Sequence, residues 1–260
     1  MNQEAWSTAI TEIHPNEVRL RGYPIDELMG EISFSEGIYL AIMGDLPSPA
    51  VARLVEAILV SSIDHGATPP SALAARTAAS TGAPINAAVA CGLLSINRFH
   101  GGAIEDCMLM LQAGLDQGSA NQPSVGDLAA SILDDYQQQH KRLPGLGHRI
   151  HSDDPRTARL FSLATELGLS GRAVDLLRSL QTSLAANGKP LPINVDGAIA
   201  ALLVDLGIPS PLANAFFFMA RIPGLVAHVY EEQSREKPMR RIHPTSHSYD
   251  GPKPRTLKKS

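Results

Sequence analysis

Four histidines of this 260-residue chain stand beside glycine or proline at breaks in its helical patterning. They are His65 before Gly66, His100 before Gly101-Gly102, His148 after Gly147, and His243 before Pro244. A single loop histidine is ordinarily solvated or packed. Four placed alike point further, because an adjacent glycine lets a ligand approach the backbone and leaves the ring accessible. Asp196, in Asn194-Val195-Asp196-Gly197, precedes an apolar run. It can be read as a helix N-cap, or as a carboxylate whose desolvation raises its pKa enough for base catalysis. Arg156 and Arg221 are candidate forks for substrate carboxylates, although an isolated arginine is more often a surface ion-pair partner of small energetic worth.

Other chemistries find little support. Gly145-x-Gly147 lacks the third glycine and the preceding strand of a dinucleotide loop. His148-x-x-His151 lacks the glutamate and the spacing of a zinc protease. Cys91 and Cys107 are the sole cysteines; they make neither a disulfide framework nor a zinc site. No metal site and no tightly bound cofactor are expected.

The elements that must position these residues read as helices. Alanine and leucine dominate an apolar fraction of 44%, aromatics are 5%, and strand-like alternation is scarce. The net charge of −4 gives no basis for nucleic-acid binding. No apolar run approaches the roughly 20 residues of a membrane helix, and the N-terminus lacks the order of a signal peptide, so a reduced cytoplasm is expected. The polar-interrupted Ile10, Ile13, Val18 and Leu20 read as a hairpin or an extended arm. Ser33 with Glu36 forms a capping box for a helix reaching Met43. Helices then follow over 49–60, 71–80, 84–94, 103–113, 124–139, 155–166, 172–187 and 198–206. Two more, 211–219 and 224–232, flank Pro223. The candidate chemistry falls between them, in loops.

Several motifs taken in order carry a resemblance. Asp64-His65-Gly66, Phe99-His100-Gly101-Gly102-Ala103 and Pro144-Gly145-Leu146-Gly147-His148-Arg149 come first. Asp154-Pro155-Arg156, Asn194-Val195-Asp196 and Ala220-Arg221-Ile222-Pro223-Gly224 with His228 complete the order. Each block is weak alone; their joint order resembles the citrate synthase superfamily over about residues 33–252. The resemblance implies an all-α, multi-helical fold with a reduced large domain, about 24–115 and 190–252, and a smaller helical subdomain, about 120–188. It implies catalysis by His100, His148 and Asp196, and carboxylate binding by His65, Arg156, Arg221 and His243. It places coenzyme A against Leu143, Pro144, Gly145, Leu146, Gly147 and Asn194, with a coenzyme A thioester as substrate rather than cofactor.

Departures from full-length synthases refine the expectation. The helix ending at Val60 runs almost directly into His65, without the long helical insertion usual there, and the C-terminal Arg-Pro of the family reads His243-Pro244. Both features resemble the citryl-CoA lyase module that ends ATP-citrate lyases. Reversible cleavage of citryl-CoA to acetyl-CoA and oxaloacetate is therefore the expected activity. A synthase-like transferase condensing acetyl-CoA or propionyl-CoA with a 2-oxo acid is the alternative, since His100 keeps the histidine of true synthases. A third reading is a non-catalytic subunit that binds CoA esters. The resemblance also implies a homodimer or larger homo-oligomer, with His243 able to serve the neighbouring subunit, and neither nucleic acid nor membrane as partner.

Overall fold

The computed structural model describes residues 6–117, 123–147, 152–240 and Lys253. Among the described residues are eleven α-helices and one small antiparallel sheet, the all-helical class expected. The N-terminal segment is a hairpin extended to a meander: β1 (Thr11–His14), β2 (Glu17–Leu20) and β3 (Tyr23–Pro24), with Thr11 opposite Leu20 and Arg19 opposite Pro24. Arg21 fastens this sheet to the helices, its Nε and Nη2 donating to the Ala41 carbonyl at 3.1 and 2.8 Å.

Helix α1 (Ile25–Leu28) is one turn. Helix α2 (Phe34–Met43) begins with the expected capping box: Ser33 N donates to Glu36 Oε2 at 2.8 Å and Glu36 N to Ser33 Oγ at 3.3 Å. Proline at the first turn starts α3 (Pro49–Ser61) and α4 (Pro70–Ser80), where its missing N–H costs nothing. Helices α5 (Ile85–Leu94), α6 (Ala103–Gln117), α7 (Val125–Gln138), α8 (Pro155–Glu166) and α9 (Arg172–Ala186) follow near their expected bounds.

Three boundaries differ from the sequence reading: α6 runs four residues past its expected end at Ala113, and two others bear on the site. Helix α10 (Val195–Asp205) starts three residues early, because Asn194 rather than Asp196 is its cap; Asn194 Oδ1 accepts from Gly197 N at 3.0 Å. Asp196 therefore lies in the first turn. The two helices expected around Pro223 are one, α11 (Ala213–Arg235), entered from a 3₁₀ turn at Ser210–Leu212. An interior proline costs about 3 kcal/mol. Packing offsets this: Leu225 and Val229 are fully buried against Ala75, Ala79, Ala88 and Val89 of α4 and α5.

That continuous helix also qualifies the expectation about apolar runs. Residues Ser210–Arg235 are long and apolar enough, by length and composition, to cross a membrane. Here one face of the helix packs inward and buries the charged Arg221 and Glu232, while Phe218, Ile222, Val226 and Tyr230 on the other face are exposed.

The larger core centres on α10. Its residues Gly197 to Leu203 are all buried, packed by α6, α8 and α9. A helix apolar on every side needs neighbours on every side, and truncating Leu202 or Leu203 to alanine should cost about 2–5 kcal/mol. The N-terminus of this central, well-held helix is where Asp196 sits.

Candidate active site

A cavity of about 190 Å³ gathers six of the residues singled out by type and spacing: His65, His100, Arg156, Asn194, Asp196 and Arg221. They arrive from the α3–α4 connection, the α5–α6 loop, the first turn of α8, the cap and first turn of α10, and the middle of α11. His148 and His243 lie outside the described residues.

His100 is held by a tight loop in which Asn97 N donates to His100 O at 2.9 Å and His100 N to Asn97 O at 2.8 Å. Gly101, at φ 87°, turns the chain where a Cβ would lie 2.7 Å from the Phe217 ring. That ring meets the imidazole edge-on at 6.0 Å. His100 Nε2 is 2.8 Å from the fully buried Ser71 Oγ. Burial, then the positive fields of Arg221 and His65, hold the His100 pKa below its ordinary value. The ring is thereby kept as a neutral hydrogen-bonding group near neutral pH.

Asp196 is moved the other way. Desolvation raises its carboxyl pKa, and Asp154 adds to this, against the opposing pull of Arg156 and Arg221. A backbone seam fixes its position. Gly145 O accepts from Asn194 N at 3.1 Å, Gly147 N donates to Pro192 O at 2.7 Å, and Asn194 Nδ2 donates to Gly147 O at 2.8 Å. Gly145 and Gly197 touch so closely that a Cβ on Gly197 would sit 2.3 Å from Gly145 O. Behind the seam lies Cys107, whose thiol is pushed far up by burial and by the nearby Asp196 and Asp106. A thiolate nucleophile is absent here.

The two arginines differ. Arg156 makes a bidentate pair with the buried Asp154, Nε to Oδ1 at 3.0 Å and Nη2 to Oδ2 at 2.7 Å. That occupies two of its five N–H donors. Arg221 is 3% exposed, donates from Nε to the Ser62 carbonyl at 3.0 Å, and lies 4.8 Å over the Phe217 ring. Far from a surface ion pair, it is a buried cation aimed at the cavity, and it lies in the middle of a helix that the sequence reading breaks in two around Pro223. Two guanidinium groups on so small a space suit a ligand with more than one carboxylate.

Two larger hollows adjoin. One of about 520 Å³ is lined by Leu143, Leu146 and Gly147 together with Tyr136, Lys141 and Lys189. The other, about 760 Å³, shares Tyr136 and Lys141 and adds Pro144, Arg98 and Phe99. Phe99, 97% exposed, also borders the small cavity. The three form a chain from the acid–base residues to a basic surface. Of the loop expected to meet coenzyme A, Leu143, Pro144, Leu146 and Gly147 line these hollows, while Gly145 lines neither and packs on Gly197 in the seam.

Sequence reasoning missed Ser71, Phe217, Lys141 and Lys189. Phe217 carried a signal, since it precedes Arg221 by four residues on one helix face; the others carried none before the chain was folded.

A family model described as citrate synthase, C-terminal domain, matches residues 46–244. The chain belongs to the citrate synthase family. Among solved structures, the citryl-CoA lyase of Hydrogenobacter thermophilus is 41% identical, with a TM-score of 0.88 over 97% of each chain. Among curated relatives, ATP-citrate synthase subunit 1 of Sordaria macrospora is 26% identical over 89% of this chain and 36% of its own length. The citrate synthase of Heyndrickxia coagulans is 29% identical over 82% of this chain and 56% of its own. The chain thus spans between about a third and just over half of these curated relatives.

Proposed function

We propose that this citrate synthase family member cleaves citryl-CoA to acetyl-CoA and oxaloacetate. The observation that carries the reading is the end-to-end likeness to the Hydrogenobacter thermophilus citryl-CoA lyase, 41% identical with a TM-score of 0.88. The small cavity supports it, with a raised carboxyl, a neutral imidazole and two guanidinium groups around one space. The short connection from α3 to His65 is a further support.

In this reading Arg156, Arg221 and His65 hold the carboxylates of the citryl group. A base, assigned by family resemblance to His148, takes the hydroxyl proton as the carbon–carbon bond breaks. Oxaloacetate separates, and the electron pair moves into the enol of acetyl-CoA. His100 donates a hydrogen bond to the thioester oxygen, worth roughly 3–4 kcal/mol when preorganised. It does so from Nδ1 if Ser71 donates to Nε2. Asp196, protonated at the start, delivers its proton to the terminal carbon; the raised pKa keeps that proton available. The proton taken by the base restores Asp196 through solvent once products leave. The chained hollows would take the pantetheine arm and the phosphates of coenzyme A, with Lys141 and Lys189 at the charged end.

Purified protein given citryl-CoA, without metal or nucleotide, is expected to release oxaloacetate and acetyl-CoA in equal amounts. If it instead frees CoA from acetyl-CoA plus oxaloacetate and leaves citryl-CoA uncleaved, it is a synthase. The match to the Heyndrickxia coagulans citrate synthase keeps that second reading in view.

A further inference from the structure

One face of α11 grips the segment that carries His65. Three positions on it, Arg221, Gly224 and His228, follow at spacings of three and four residues and so lie in one stripe. They meet three consecutive residues of the α3–α4 connection. Arg221 Nε donates to the Ser62 carbonyl. Gly224 admits the Ile63 carbonyl so closely that a Cβ there would stand 2.3 Å from it. His228 Nε2 lies 3.0 Å from Asp64 Oδ1, while Asp64 Oδ2 accepts from Gly66 N at 2.9 Å. Burial works to raise the Asp64 pKa, but the Gly66 and His65 amides and the His228 ring outweigh it, and the carboxyl is held below its ordinary value. His65 lies inside the turn that the Asp64–Gly66 bond closes, and His228 holds the other oxygen of the same carboxylate.

A third layer stands behind His228. Arg76 of α4, 7% exposed, has Nη1 at 3.3 Å from His228 Nδ1 and 2.9 Å from Glu231 Oε2, and Nη2 at 2.8 Å from Glu232 Oε2. A guanidinium only donates. His228 Nδ1 must therefore accept, which leaves the ring proton on Nε2, pointed at Asp64. Arg76 selects the tautomer that Asp64 needs.

We propose that His228, oriented by Arg76, is a positioning residue that holds Asp64 and thereby sets His65 at the carboxylate end of the cavity. The role of His65 rests on the function proposed above; the clamp itself does not. His228 touches no substrate in this arrangement. Its effect is on how accurately the oxo-acid half is held, where small displacements are costly.

The test compares His228→Ala, His228→Gln and Gly224→Ala with the parent protein in two measurements. Amide exchange across residues 62–66 reports the clamp directly. The Kd for oxaloacetate, with the KM and kcat for citryl-CoA, reports its consequence. His228→Ala is expected to speed Gly66 exchange at least tenfold and to raise the oxaloacetate Kd and the citryl-CoA KM by a similar factor. kcat should change less, and the Kd for CoA should stay within twofold. Gly224→Ala should do the same by pushing the segment away. His228→Gln offers a donor to Asp64 and an acceptor to Arg76, and is expected to recover most of both properties. Unchanged exchange in His228→Ala overturns the clamp whatever the substrate. So does a glutamine variant as defective as alanine, or equal weakening of CoA and oxaloacetate. If the parent protein neither binds oxaloacetate nor cleaves citryl-CoA, the proposed function fails, and the exchange measurement still decides the clamp.

Discussion

The small acidic–basic cavity and the long hollows beside it are built on different principles. Around the 190 Å³ cavity every key side chain is tied from behind: His100 by Ser71, Arg156 by Asp154, Arg221 by the Ser62 carbonyl, and Asp196 by the seam beneath α10. Around the 520 Å³ hollow the walls are largely apolar side chains with the exposed Lys141 and Lys189, whose ammonium groups have no hydrogen bond or ion pair among the described residues. Tying fixes atoms to the accuracy that proton transfer to carbon needs. Untied, solvated cations serve a flexible polyanion, where a rigid fit would cost entropy for little gain in attraction. On the proposed function, the chain places hydrogen bonds where bonds would be made and broken, and charge where a handle would be held.

Changes at the tied end should hurt chemistry, and changes at the loose end should hurt affinity alone. The largest effect is expected for Asp196→Asn, a loss of about 10²-fold or more in turnover with oxaloacetate affinity retained. Since Asn194 is the cap, the exchange leaves the helix N-cap intact. The stability sign is also fixed. A carboxyl with a raised folded pKa favours the folded state below its ordinary value and loses that contribution as pH rises through the raised one. The asparagine variant, which cannot ionise, should melt at or above the parent temperature at neutral pH. A lower melting point, or near-normal turnover, would return Asp196 to a structural part.

Ser71→Ala should come next. Losing one hydrogen bond to His100, about 0.5–1.5 kcal/mol, predicts a fall of about 3–10-fold in kcat at little change in the Kd for CoA. A loss of CoA affinity in its place would erase the contrast between the two regions. Smallest is Lys141→Ala, for which the Kd of CoA should rise a few-fold, less so at high salt, with kcat unaltered. Titration calorimetry at two salt concentrations measures it, and a kcat effect would show that the loose end is not loose.

Much of this was legible before folding, and the reasons are local. Capping chemistry marks helix starts within a few residues, as Ser33 with Glu36 demonstrates. The polar residues that line the small cavity were singled out by type, flanking glycine and order. Two kinds of information were hidden. Pro223 signals a break by its own chemistry, and only the packing of Leu225 and Val229 on α4 and α5 overrides it. Ser71, Arg76 and His228 acquire their parts from partners 29 to 164 residues away, and no spacing rule reaches that far.

The contact of Gly145 with Gly197 has a mechanical meaning. Main chain rests on main chain there, with no side chain between to bend or repack. The 143–147 loop and the first turn of α10 therefore share one datum, and any group seated along that loop is measured off from the Asp196 carboxylate as on a ruler. A closer approach of the loop would meet the Gly197 backbone at once, so the reach between loop and helix has a hard lower limit.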